Sequence, residues 1–243
     1  MSPPRREQPL VLASGSPRRR ELLALLGLPF EVVPSTCEEI LPPAHADPGE
    51  LAEALAREKA REVARRRPGA LVLGADTVVA LDGRIYGKPA DARDAARMLA
   101  EFSGRTHRVV TGVALVGPTG EQSFHASTEV TFRELEPQEI ESYVATGEPA
   151  DKAGAYAVQG QGALLIEGIR GDYPNVVGLP LVMLAAALRA RGFAVLGSGD
   201  EAVQAQEARD RQGEILARIR RRRFRPPREA PSSVDLLRED RSR

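Results

Sequence analysis

The chain has 243 residues, 42% of them hydrophobic and only 4% aromatic, with no tryptophan, so it can bury a sizeable core that must be built from Leu, Val, Ala and Ile. Lys plus Arg balance Asp plus Glu at 34 each, which excludes the global charge excess that drives wholesale binding to nucleic acid or membranes. The single cysteine, Cys37, excludes an internal disulfide and any multi-cysteine metal site; with no apolar signal core near the start and no run of about 18 apolar residues, a cytoplasmic protein without a membrane span is expected.

Residues 10–14 form an apolar strand, and Ser16-Pro17 reads as an N-cap followed by proline at the first helical position. Leu22, Leu23, Leu25 and Leu26 give that helix a buried face and Gly27 stops it. A short strand over residues 30–33, a proline-rich loop over 42–48 and a strong helix over 50–67 follow, the last ended by Pro68. Residues 70–81 read as a buried strand, turned by Asp82-Gly83 into a short partner at 84–86.

A helix over 91–102, strands over 108–116 and 123–133 separated by the Gly117-Pro-Thr-Gly120 turn, and a helix over 137–146 come next. The glycine-rich stretch 151–173 holds a strand-like piece at 163–166, and a last helix over 180–191 ends at Gly192. Strands and helices alternate with hairpins among them. That predicts an α/β fold with a mixed sheet flanked by helices and a central cleft.

Residues 1–8 are expected to be a disordered N-terminus, 9–196 the folded domain, and 197–243 a charged helical extension with a disordered Arg/Pro-rich tail. The run Arg218-Ile-Arg-Arg-Arg-Arg-Phe-Arg225 is basic enough to touch nucleic acid or anionic lipid. Residues 198–243 nevertheless carry twelve Arg against nine Asp plus Glu, which favours a solvated tail over nucleic-acid contact.

Of the 34 basic residues only Lys59, Lys88 and Lys152 are lysines. A chain that writes Arg almost everywhere marks each lysine as a candidate for a place needing a compact ammonium. Arg18, Arg19 and Arg20 open the first helix, where unpaired N–H groups already carry partial positive charge and a cation is unfavourable. With successive residues about 100° apart, Arg18 and Arg19 flank the apolar face and Arg20 points away. Arg18, Arg19, the Ser14 and Ser16 hydroxyls and the backbone N–H groups can then converge beyond the end of the first strand, a site suited to an oligophosphate. The alternative is that Ser16 only caps and the arginines are solvated.

Lys59 sits four residues from both Leu55 and Val63, in an apolar stripe, so it should enter a polar pocket, pair with a carboxylate or snorkel outward. Asp76 lies in the most apolar stretch of the chain and must be hydrogen-bonded, metal-bound or catalytic. Gly74 allows a close approach nearby, Thr77 adds a hydroxyl, and Glu38-Glu39 can offer a further carboxylate to Mg²⁺ or Mn²⁺. In Asp151-Lys-Ala-Gly-Ala-Tyr-Ala-Val-Gln-Gly-Gln-Gly162, Gln159 and Gln161 offer donor and acceptor pairs able to read a base edge. His45, His107 and His125 lack metal-ligand spacing, and no base stands beside a nucleophile.

Together these stretches resemble the Maf-type nucleoside triphosphate pyrophosphatases. The resemblance is carried by Ser14-Gly-Ser-Pro-Arg-Arg19, Glu38-Glu39, Arg57-Glu-Lys-Ala60, Gly74-Ala-Asp-Thr-Val78, Gly87-Lys-Pro89, Asp151-Lys-Ala-Gly154, Tyr156-Ala-Val-Gln-Gly160 and Asn175-Val-Val-Gly-Leu-Pro180, in the family's order over about residues 9–195. It implies a fold like that of the Maf and inosine triphosphate pyrophosphatases, and hydrolysis of a nucleoside triphosphate to the monophosphate and pyrophosphate with a divalent metal, Mg²⁺ or Mn²⁺, assigned to Glu39 and Asp76.

Asp76 takes the position of the family's proton acceptor, with Lys59 and Lys88 beside it in the catalytic set. Ser14, Ser16, Arg18, Arg19, Thr77, Lys152 and Gln159 form the substrate-binding set. Arg18, Thr77 and Gln159 take positions tied to base selection and place the chain with the branch acting on dTTP and UTP. A homodimer is also implied. The competing readings are a non-enzymatic nucleotide-binding regulator of cell division and septum formation, and a pyrophosphatase for deaminated purine nucleotides such as ITP and XTP.

Overall fold

A computed structural model describes residues 8–37 and 47–196. The termini and the Pro42-containing loop fall outside those residues, as does the charged extension after Leu196. The first apolar run forms β1 (Leu10–Leu12), and the serine turn leads into α1 (Pro17–Ala24), where the Ser16 hydroxyl accepts from the Arg19 N–H. Leu22, Leu23 and Leu26 are buried as expected, but Leu25, the C-cap of the helix, is 53% exposed. Gly27, at φ +71°, provides the left-handed stop.

After β2 (Phe30–Val32) comes α2 (Pro48–Arg66), which begins two residues earlier than the apolar periodicity indicates because Asp47 caps it through bonds from the Gly49 and Glu50 N–H groups. The longest apolar run becomes β3 (Leu71–Leu81), and Asp82 (φ 50°) and Gly83 (φ 75°) turn it into β4 (Arg84–Tyr86). Next come α3 (Ala92–Phe102), capped by Asp91, the long hairpin of β5 (Thr106–Gly117) and β6 (Gly120–Phe132), and α4 (Pro137–Ala145).

The strand expected at residues 163–166 is instead a 3-10 turn over Gln161–Leu165, followed by β7 (Ile166–Arg170). The Glu148 carboxylate pins that turn by accepting from the N–H groups of Gln161 (3.1 Å) and Gly162 (3.0 Å). β7 is exposed along most of its length and so lacks the apolar alternation that marks a strand in sequence. Two helices close the fold, the short α5 (Tyr173–Val177), with no apolar period to announce it, and α6 (Leu181–Ala190), ended near Gly192.

The seven strands make one sheet in the order β2-β1-β3-β5-β6-β7, with β4 paired to β3. β1 runs parallel to both neighbours, whereas β3, β5, β6 and β7 are antiparallel to one another, so the sheet is mixed. Apolar clusters fill both faces. On one face a cluster joins β1, β3 and β5 to α1 and α6 and a second gathers Tyr86, Phe102, Phe132 and Tyr156; on the other, α2 packs on Val72, Val78, Val110 and Ala114.

Helix α2 presses onto β3 and β5 through small residues. Ala52, Ala56 and Ala60 are fully buried, and a Cβ added at Gly74 would stand 2.1 Å from the Ala56 carbonyl oxygen. At Gly112 it would stand 2.1 Å from the Ala52 carbonyl carbon. Glycine is required at both positions because helix backbone occupies the space of a side chain.

Candidate active site

The cleft follows from a mismatch of strand lengths. β1 pairs with β3 only as far as Leu73, and β4 takes up that same flank at Val79. Between these points one edge of β3 is left to the serine turn, and the residues there are Gly74 to Val78. Ligands collect where strand ends open such a crevice in α/β sheets. The cleft measures about 940 Å³ and is lined by Ser14, Ser16, Arg18, Arg19, Lys59, Asp76, Thr77, Lys88, Lys152 and Gln159. Every substrate-binding and catalytic candidate read from the sequence therefore lies on one surface. Glu39, the second metal candidate, lies outside the described residues.

At the base of the cleft, Lys59 Nζ donates to Asp76 Oδ1 at 2.5 Å. The side chains are 12% and 8% exposed. Lys59 thus enters the pocket and pairs with a carboxylate, because α2 crosses β3 so closely that its apolar stripe lies directly over the strand. The bond leaves only one of the carboxylate oxygens engaged by the lysine.

The serine turn is partly occupied by its own groups. Ser14 Oγ accepts from the Ser16 N–H at 3.2 Å, and Ser16 Oγ accepts from the Arg19 N–H at 3.5 Å. The Arg19 amide, expected to face a ligand, is thereby used within the turn, as is the Ser16 amide. The arginines divide as the helical angle requires. Arg18 and Arg19 are half-buried and line the cleft, whereas Arg20 is exposed and does not. Arg19 reaches across to α5, donating through Nε to the Gly178 carbonyl (2.9 Å) and through a terminal nitrogen to Thr77 Oγ1 (2.9 Å).

On the opposite wall Lys152 bonds to the Asp151 carboxylate and contacts the Glu148 carbonyl at 3.5 Å. That bond, aided by Coulomb attraction to Lys152 and Arg18, holds the Asp151 carboxyl below its ordinary range. Asp151 lines the cleft, although in the sequence it stands as an ordinary loop residue beside the conspicuous lysine. Lys88 and Gln159 lie on exposed parts of the same rim. Valines 79, 109, 176 and 177 and Tyr156 give the cleft an apolar side suited to a flat ring.

Asp76 and Asp151 are the acidic side chains lining the cleft among the described residues, which hold no group of three or more His, Cys, Asp or Glu able to cage a metal. His107 is buried among aromatic rings, with Nε2 2.8 Å from Tyr156 Oη, and His125 pairs with Glu53 at 2.7 Å. A cleft with two forks, three ammonium groups and one deeply set carboxylate can neutralise a triphosphate and accept a proton beside it.

A family model described as "Maf-like protein" matches residues 9–191. A dTTP/UTP pyrophosphatase of Moorella thermoacetica is 60% identical over 190 residues, covering 77% of this chain and 97% of that protein. One of Symbiobacterium thermophilum is 53% identical over 194 residues, covering 79% and 98%. One of Bacillus cytotoxicus is 51% identical over 179 residues, covering 74% and 93%. With the family's motifs gathered on one cleft and this match spanning nearly all of the described residues, the chain belongs to the Maf family.

Proposed function

We propose that the chain hydrolyses dTTP and UTP, and modified pyrimidine nucleotides, to the monophosphate and pyrophosphate. The observation that carries this reading is the buried Lys59–Asp76 pair at the base of a cation-lined cleft, in a chain 60% identical to a protein named for that activity. A nucleotide binder needs the cations but not a carboxylate set into an apolar strand.

In this reading Arg18, Arg19, Lys88 and Lys152 hold the phosphates and neutralise their charge, and Ser14 and Ser16 fix the turn that presents the arginines. Asp76 accepts a proton from water as the oxygen attacks the α-phosphorus; the bond from that phosphorus to the bridging oxygen breaks and pyrophosphate leaves. Lys59 holds the Asp76 side chain in place in the cleft. Arg18, Thr77 and Gln159 contact the base.

A divalent cation fits this donor set, since Mg²⁺ at phosphate sites is held by one or two carboxylates with substrate oxygens and water completing its shell. Asp76, with Glu39 as a second carboxylate, would hold Mg²⁺ or Mn²⁺, which would supply charge neutralisation at the phosphates.

The reading includes a cytoplasmic setting, supported by the lone Cys37, and a homodimer, to be tested by light scattering. Among the described residues no helix is long and apolar enough to cross a membrane. A panel of nucleoside triphosphates assayed for pyrophosphate release tests the activity. dTTP and UTP are expected to be turned over fastest; ITP and XTP as the best substrates would favour the purine reading, and tight binding without release would favour a regulator.

A further inference from the structure

Thr77 places its hydroxyl on the cleft wall, and the hydrogen bonds behind it admit one arrangement of protons. A terminal nitrogen of Arg19 lies 2.9 Å from Thr77 Oγ1, and a guanidinium only donates. Thr111 Oγ1 lies 2.9 Å from the Asn175 backbone oxygen, which only accepts, so the single Thr111 hydroxyl proton lies on that line. The 3.0 Å contact between the hydroxyls of Thr77 and Thr111 can then be filled only by the Thr77 proton. These positions follow from counting donors and acceptors. Thr77 accepts from Arg19 and donates to Thr111, and all it can offer a molecule in the cleft is a lone pair.

The residues that impose this polarity are not on the cleft surface. Thr111 and Asn175 are fully buried. The Asn175 side chain is locked, its Oδ1 accepting from the Thr111 N–H at 3.2 Å and its Nδ2 donating to the Val109 carbonyl at 3.0 Å and Thr128 Oγ1 at 2.9 Å. No rearrangement supplies another acceptor for the Thr111 proton without leaving a buried group unpaired.

We propose that Thr111 and Asn175 are positioning residues for substrate choice. By claiming the Thr77 proton they make Thr77 an obligate acceptor, so the cleft takes a ring that presents an N–H there, as the imide edge of uracil or thymine does. Cytosine presents a bare ring nitrogen at the corresponding position, and two acceptors facing each other leave both unpaired. A site built this way rejects the wrong ring by more than the loss of one bond. The inference rests on the nucleotide reading above and deepens it.

The test measures binding of α,β-methylene UTP and α,β-methylene CTP to the full chain, so it needs no turnover. Wild type should prefer the uridine analogue by about tenfold or more. Thr111→Val is close to Thr111 in shape but releases the Thr77 proton toward the cleft. The preference should fall toward unity, the cytidine analogue gaining as the uridine analogue loses. Thr111→Ser keeps the hydroxyl and should restore the wild-type ratio.

Thr77→Val removes the acceptor itself and should abolish the preference even if Thr111→Val fails to fold. An unchanged ratio in a folded Thr111→Val, equal loss for both analogues, or no preference in wild type would overturn the proposal. Binding of both analogues without pyrophosphate release from UTP would overturn the catalytic reading alone; binding of neither would overturn both.

Discussion

Replacing Gly74 with alanine sets a methyl group against the backbone of helix α2, and the structure gives the size of the conflict. The added carbon would stand 2.1 Å from the Ala56 carbonyl oxygen and 2.9 Å from both the Cβ and the amide nitrogen of Ala60. Carbon and oxygen in contact ordinarily keep about 3.3 Å, so the helix must retreat by about 1 Å at this point. Ala52, Ala56 and Ala60 are fully buried along the same seam, and the strain is shared among backbone atoms that have no rotamer to escape into.

Overpacking of this kind costs about 1–3 kcal/mol, and for a domain of this size each kcal/mol lowers Tm by about 2–4 °C. A fall of about 5 °C is therefore expected on thermal melting. The functional effect should be larger, because Lys59 rides on the displaced turn and its 2.5 Å bond to Asp76 must lengthen. A displacement of about 1 Å at a reacting group can cost about 10²-fold in turnover. Gly168→Ala, where an added Cβ meets nothing within 4 Å, is the control and should change neither quantity. A Gly74→Ala protein that melts and turns over like wild type would refute the claim that α2 is held on the sheet by backbone contact.

Lys59→Ala should lower turnover by about 10²-fold or more in steady-state assays. It should also cost about 1–3 kcal/mol of stability in chemical denaturation, below the figure for a fully enclosed pair because both partners line an open cleft. Arg18→Ala should raise KM for UTP while Arg20→Ala leaves both kinetic constants unchanged, since only the former faces the cleft; equal effects would remove the helical-angle argument.

Burial holds the His107 imidazole down at about 4 against an ordinary 6.5. The unfolded chain therefore takes up a proton first as pH falls, so this contribution is whole above pH 6.5, declines toward pH 4 and is constant below. The full loss is about 3 kcal/mol. His107→Phe should flatten the fall in Tm across that window, and an unchanged slope would place the acid sensitivity elsewhere.

The features legible in the sequence were those where one residue contradicts its surroundings. Asp76 stood out as a carboxylate in an apolar strand and Lys59 as an ammonium on an apolar stripe. Each required a partner, and the structure pairs them. The arginine triplet was resolved by helical geometry alone, and the hairpins by their glycine turns.

What escaped depends on contacts between distant residues. Thr111 and Asn175 are 64 positions apart, and each alone reads as an ordinary buried polar residue. Glu148 fixes the backbone at Gln161 and Gly162 through bonds that no periodicity encodes, which is why a turn stands where a strand was expected. Gly112 lay in an unremarkable valine-rich strand, and only the position of α2 shows that nothing larger fits there.

Proton transfer from the attacking water to Asp76 is read out by pyrophosphate release from UTP in the presence of Mg²⁺. Asp76→Asn keeps the shape of the side chain and removes its basicity. Wild type should release pyrophosphate and Asp76→Asn none above background, while the variant binds α,β-methylene UTP near-normally. Release by Asp76→Asn at the wild-type rate would show that Asp76 is not the proton acceptor.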